Sequence, residues 1–187
     1  VPEAVPPRTV LLDACTLLNL YATGALGEIL AGLPYRFAVV ETVLREEALY
    51  VLRPGRVPPE HEAVDLSREI GAGTLELTDV DGDAEAERFI ALAMELDDGE
   101  ARTLAVAWSR GWSVATDDRK AHRVAARVCP NVPLLRTLEL VQEWAAAHAN
   151  SHERLRELLI LMRDRGNFFP GRHDPSVMWW RGIVDDG

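Results

Sequence analysis

Apolar and polar positions along the chain follow two alternating periods. Short apolar runs bounded by turn residues or charges, "TVLLD", "RFAVV", "TLELTDV", "WSVAT" and "VPLLR", read as strands. Their near-continuous apolar character suits strands covered on both faces. Between them lie longer segments with apolar residues three and four apart: "ALGEILAGL", "ETVLREEALYVL", "DAEAERFIALAMEL", "DGEARTLAVAWSRG" and "DRKAHRVAARV". These predict helices, the fourth ending on a glycine suited to a C-cap. The alternation predicts an α/β protein with a parallel sheet. The stretch "RPGRVPPEH", Arg53 to His61, reads as a loop leading into a further helix over residues 61–70.

From about Thr137 only helical spacing remains, in "LELVQEWAAAHA" and then "HERLRELLILMRDRG". The final "NFFPGRHDPSVMWWRGIVDDG" has no period and carries Phe168, Phe169, Trp179 and Trp180. An aromatic-rich irregular tail of this kind is expected to pack on its own domain or on a partner. In extended backbone the adjacent indoles would point to opposite sides, leaving one for a second copy of the chain or another protein. The expected organisation is one domain over residues 8–150, then a helix and an irregular tail over 151–187, with residues 1–7 a Pro-rich lead-in.

Composition narrows the partners. With 30 Asp and Glu against 20 Lys and Arg the net charge is −10, which argues against gripping long nucleic acid by a general basic surface. Hydrophobic residues make up 48% of the chain, enough for a sizeable core. Cys15 and Cys129 are too few for a disulfide framework or a cysteine-based zinc site and read as reduced thiols. No run approaches the ~20 apolar residues of a membrane span. The opening "VPEAVPPRTV" has no secretion-signal pattern, so the cytoplasm is the expected compartment and no membrane partner is expected.

The chemistry concentrates in carboxylates at strand ends. Asp13 closes "TVLL", where an unpaired charge at the edge of a core is expensive. Asp117 and Asp118 follow "WSVAT". In an open parallel sheet, functional groups gather at the carboxyl ends of strands near the point where strand order reverses. If those two strands are neighbours, three carboxylates converge, and Glu46 and Glu100 could turn toward the same end. Such a cluster calls for a hard divalent cation, Mg2+ or Mn2+, and phosphodiester hydrolysis is the chemistry it suits. Simpler roles compete. Asp98, Thr116 and Asp117 stand at expected helix starts, where they would cap free amides, and Glu100 in a first turn suits the helix dipole. His122 reads as a solvated helix residue and Cys15 as a small buried one. His148 and His152 flank an expected helix break at Asn150 and Ser151, which disfavours a zinc pair.

Four segments resemble motifs of PIN-domain nucleases, in the family's order, over roughly residues 9–145: "LLDACTLLNLY", "VVETVLREEAL", "LDDGEARTLAVAW" and "VATDDRKAHRVA". The resemblance implies a three-layer α/β/α sandwich with a mainly parallel sheet, carrying here a C-terminal helical extension. It places Asp13, Glu46, Glu100 and Asp118 on the metal-binding acidic positions, with Asp117 adjacent and the Thr116 hydroxyl steadying the site. Glu47 is the alternative to Glu46, and Cys15 stands where the family more often has Ser or Asn. It further implies a Mg2+- or Mn2+-dependent endoribonuclease acting on RNA, commonly the toxin of a toxin–antitoxin pair, with an antitoxin protein as partner. Two other readings compete. An acidic cleft could serve only to bind a basic partner. "LLDACTLL" also resembles the nucleophile motif of haloacid-dehalogenase-like phosphatases, although Cys15 stands where that motif has its second Asp.

Overall fold

The computed structural model describes residues 8–46, 49–55, 58, 60–148 and 151–185; the lead-in expected over residues 1–7 lies outside them. Five parallel strands form the central sheet: β1 (Arg8–Leu12), β2 (Tyr35–Val40), β5 (Glu76–Thr78), β6 (Ser113–Ala115) and β7 (Leu134–Leu135), in the order β5-β2-β1-β6-β7. β1 is central, with Leu11 opposite Ala38 of β2 on one side and Val114 of β6 on the other. Val10, Leu11 and Leu12 have no exposed surface, which accounts for the unbroken apolar run that precedes Asp13. The chain builds outward from β1 through β2 to β5, then crosses back to β6 and β7. Strand order therefore reverses beside β1.

Helices cover both faces, giving a three-layer α/β/α sandwich. α6 (Asp98–Arg110) packs on β1, β2 and β6, and α5 (Gly82–Ala93) lies against it. α1 (Ala14–Ala22) contacts α2 (Leu26–Gly32), α8 (Thr137–Ala147) and α9 (His152–Gly166). α6 ends on Gly111, whose φ of 67° is the left-handed cap conformation predicted there. Gly32 is required by close approach, because a Cβ there would stand 2.7 Å from Trp144 Cδ1 and from His148 Cε1. α7 (Arg119–Val128) follows β6 as the spacing predicts.

Three expectations are corrected. The helix expected through "ETVLREEALYVL" stops: α3 covers Glu41–Glu46, and Tyr50–Arg53 is strand β3, paired antiparallel with β4 (Glu60–Ala63). The helix expected over 61–70 is accordingly displaced to α4 (Ser67–Gly71). In this region ladder pairing outweighs helical spacing, since Val51 is buried and Leu52 lies opposite His61. The "irregular" tail contains α10 (Val177–Val184). There the adjacent indoles sit 100° apart around a helix: Trp180 is buried and Trp179 packs partly buried on the core. The local pattern is short and apolar on most sides, so the helix owes its place to burial.

α9 buries Leu155, Leu158, Leu159 and Met162, one face at helical spacing. These residues, with Phe168, Trp180, Ile183 and Val184, join the same hydrophobic cluster as the sheet. Ser151 caps α9, accepting from the Arg154 amide at 3.1 Å, so the helix break expected there has a physical cause; Asn150 lies outside the described residues. No single helix among the described residues is long and apolar enough to cross a membrane. α1 and α2 meet at 110°, and both bury apolar residues in the core.

Candidate functional site

The reversal of strand order beside β1 brings the carboxyl ends of β1 and β6 together. Asp13 leaves β1 with its amide donating to Ala115 O at 3.0 Å, and it caps α1 through Oδ1, which accepts from the Ala14 amide at 2.9 Å. Oδ2 accepts from the Thr116 hydroxyl at 2.8 Å and from the Cys15 thiol at 3.1 Å. Thr116 has one proton to give and gives it to Asp13, while its lone pair takes the Asp118 amide at 3.1 Å. A buried hydroxyl thus joins the two aspartate-bearing loops. Asp13 is only 5% exposed, and burial pushes its carboxyl above the usual range against the lowering pull of those hydrogen bonds. Burial likewise pushes the Cys15 thiol up to about 12, helped by the Asp13 charge, so Cys15 is a thiol donor here and no nucleophile.

Glu100 comes from the facing helix. With Asp13, Thr103 and Thr116 it lines one small cavity above β6. Its carboxyl is raised from 4.5 to about 7, first by desolvation and then by the charges of Asp97, Asp118 and Asp13. The charges of Asp97, Asp118 and Asp13 thus all act on Glu100, and no ion pair to Glu100 occurs among the described residues. The Thr103 hydroxyl, buried in the same cavity wall, has no hydrogen-bond partner.

The two adjacent aspartates divide their roles. Asp118 caps α7, its Oδ1 accepting from the Lys120 and Ala121 amides at 2.6 and 2.7 Å. Its Oδ2 makes no hydrogen bond among the described residues. Asp117 turns the other way: Oδ1 accepts from the Thr137 amide at 3.0 Å, and Oδ2 from the Thr137 hydroxyl at 2.5 Å and Asn19 Nδ2 at 3.0 Å. Those three bonds commit the Asp117 carboxylate to holding α1 and α8. Glu46 closes α3, but its side chain lies outside the described residues, as does Glu47.

A family model described as a PIN domain matches residues 9–173. The chain belongs to the PIN-domain family. No curated protein and no solved structure gives a significant match. PIN domains are generally nucleases, and this membership sets the phosphatase alternative aside.

In this PIN domain no three described His, Cys, Asp or Glu side chains stand close enough to form a coordination shell. The donor chemistry nevertheless fits a hard divalent cation: oxygen ligands only, mutually repelling, one of them holding a proton near neutral pH for want of a counter-charge. Asp97 is the residue that sequence reasoning missed. It caps α6, with Oδ1 accepting from the Glu100 amide at 2.8 Å, the role expected of Asp98. The signal was present as Asp-x-x-Glu over Asp97 to Glu100, the spacing of a capping box. The cap of α7 likewise falls to Asp118 in place of Thr116 or Asp117. His122 is also corrected: it is half-buried, and its Nε2 donates to the Thr116 carbonyl at 2.9 Å. His148 stacks on Trp144 and bonds its carbonyl at 2.9 Å, occupied in packing α8.

Proposed function

We propose that this PIN domain is a Mg2+- or Mn2+-dependent endoribonuclease and the toxin half of a toxin–antitoxin pair. The observation that supports the hydrolytic reading is the grouping of carboxylates at the β1/β6 crossover, where burial first and then the charges of Asp97, Asp118 and Asp13 raise Glu100 to about 7. A bound divalent cation would relieve such repulsion. Asp13, Glu100 and Asp118 would hold it, with Glu46 as the further carboxylate and Thr116 fixing Asp13. When bound, a divalent cation supplies positive charge against a scissile phosphate and lowers the pKa of water at the site.

The chain's own groups set the conditions. Thr116 and the Ala14 amide hold the Asp13 carboxylate in one orientation, so no rotamer search is needed on binding. Glu100 carries a proton on its carboxyl near neutral pH and releases it as counter-charge arrives, which makes cation affinity rise with pH. The Asp118 Oδ1 is held by two amides, leaving Oδ2 for the site. The partner reading rests on the same charge: an antitoxin segment presenting an arginine would pair its guanidinium with these carboxylates and exclude the metal.

Cleavage of a labelled RNA by the purified chain in chelator, Mg2+ and Mn2+ tests the enzymatic part. Cutting should require metal and vanish in Asp13→Asn; cutting in chelator, or by that variant, overturns it. Copurification with the product of the adjacent gene tests the partner part. Nuclease activity unchanged in such a complex overturns the toxin assignment alone.

A further inference from the structure

Beside the acidic centre lies a cleft of about 480 Å³ between α7 and the segment 168–174 that follows α9. Its walls carry Arg119 and Arg123, one helical turn apart, with His122, Arg136, Phe169 and His173. Charge there runs against the rest of the chain, whose net charge is −10. The guanidinium groups of Arg119, Arg123 and Arg136 make no ion pair among the described residues, the Glu139 carboxylate being taken by the Arg136 backbone amide, whereas Arg110, Arg127 and Arg165 are each ion-paired. The two acids on the lining, Asp117 and Asp174, are occupied: Asp117 by Thr137 and Asn19, Asp174 by the Ser176 amide at 2.8 Å.

The aromatic wall is held open. Asn167 takes φ 51° and ends α9, turning the chain across the end of α7. Phe168 then sinks into the core at 7% exposure, which leaves the next ring, Phe169, 64% exposed at the cleft. A turn from the Gly171 carbonyl to the Asp174 amide, 2.8 Å, and a bond from the Ser176 hydroxyl to Gln142 of α8, 3.0 Å, fix the far end. An exposed ring on an anchored segment, facing unpaired guanidinium groups, is the combination that binds unpaired nucleotides: bases stack on the ring and phosphates meet the arginines.

Position ties the cleft to the carboxylates. Arg119 directly follows Asp118, and the His122 ring bonds the carbonyl of Thr116, whose hydroxyl holds Asp13. Resting on the nuclease reading above, we propose that this cleft is the subsite for the single-stranded nucleic acid flanking the scissile phosphate, with Phe169 stacking a base and Arg119, Arg123 and Arg136 holding the backbone. It explains how an acidic protein retains a polyanion: the cation-rich surface is confined to one wall beside the site.

The test is binding of a fluorescent single-stranded RNA of about 12 nucleotides to the full chain in chelator, so that cleavage plays no part. Phe169→Ala should weaken binding about ten-fold, a typical loss for one stacked base. The double variant Arg119→Gln, Arg123→Gln should weaken it and reduce the slope of log affinity against log salt by about 1.4, from two lost single-strand phosphate contacts. All three side chains are exposed or at a cleft wall, and thermal melts should match the wild type. Unchanged affinity and salt slope in these variants, or no wild-type binding at all, overturns the proposal. So does a variant set that keeps RNA but loses a polyglutamate peptide, which would assign the cleft to an acidic protein segment. A wild type that binds through the cleft yet cuts no RNA in any metal would defeat the nuclease reading and leave the cleft standing.

Discussion

The hydroxyl of Thr116 donates to Oδ2 of Asp13 across 2.8 Å, joining the ends of two parallel strands whose residues stand 103 positions apart in sequence. Thr116 is 1% exposed, so nothing from solvent can replace that bond. Thr116→Val keeps the shape and removes the hydroxyl, leaving Asp13 Oδ2 and the Asp118 amide each short of a partner. A stability loss of about 1–3 kcal/mol in urea unfolding is expected, together with a weaker Mn2+ requirement curve for RNA cleavage. A variant as stable and as active as the wild type would show that the hydroxyl positions nothing.

Asp118 combines a structural and a chemical role on separate oxygens, and two substitutions separate them. Asp118→Asn retains an oxygen to accept from Lys120 and Ala121, so the metal-free protein should stay as stable as the wild type or gain slightly from lost repulsion. Asp118→Ala removes the cap and should cost about 1 kcal/mol. Both should abolish cleavage and shrink the rise in melting temperature that saturating Mn2+ gives. An Asn variant whose thermal response to Mn2+ is undiminished would remove Asp118 from the ligand set.

Glu100 supplies a pH dependence with a definite sign. Its folded carboxyl is raised to about 7 against an ordinary 4.5, so its contribution is fully present below about 4.5 and is lost as pH rises through about 7. Asp79 and Glu85 are shifted downward and are charged in both states above about pH 5, so they add no slope in that window. In chelator the protein should therefore lose stability between about pH 5 and pH 7.5, and Glu100→Gln should make that slope shallower, the remainder coming from Asp13, whose buried carboxyl is also raised. Denaturant melts at four pH values decide it; a wild-type profile already flat there would contradict the carboxylate field.

Cys15 should resist alkylation. With the thiol pushed up to about 12 and donating to Asp13, almost no thiolate exists at pH 8. Iodoacetamide should label it in urea and scarcely at all in the folded protein, as read by mass spectrometry. Rapid stoichiometric labelling of the native chain would mean that the loop after β1 opens.

Truncation after Gly171 removes α10, and with it the buried Trp180, Ile183 and Val184. At about 1.5–3 kcal/mol for each large apolar side chain withdrawn from the core, a loss of at least about 3 kcal/mol is expected. Circular dichroism melts measure it. An unchanged melting temperature would make α10 an accessory element that the core does not need.

How far the sequence reaches can be judged at single residues. "TVLL" and "WSVAT" are apolar because their strands are covered on both faces, and the period of burial is written locally, so the strands, the helices of the central sheet and the Gly111 cap were legible. Asp13 stood out because no local role justified a charge there. Legibility failed where long-range partners choose between local states. "ALYVL" continues a helical spacing, yet Tyr50–Arg53 is a strand because Glu60–Ala63 pairs with it. The "VMWWRGIV" stretch has no period to read, and it is helical because the core accepts Trp180, Ile183 and Val184. The sharpest case is the pair of aspartates after β6. By itself the residue pattern determined that a carboxylate would follow each of two strands, and the family resemblance favoured Asp118; what occupies Asp117 was decided only in three dimensions. Asn19 and Thr137, 98 and 20 positions away, take the oxygens of Asp117, and the backbone turn then leaves Asp118 for the carboxylate cluster. Two identical side chains one residue apart have the same local propensities, and only distant hydrogen-bond partners can tell them apart.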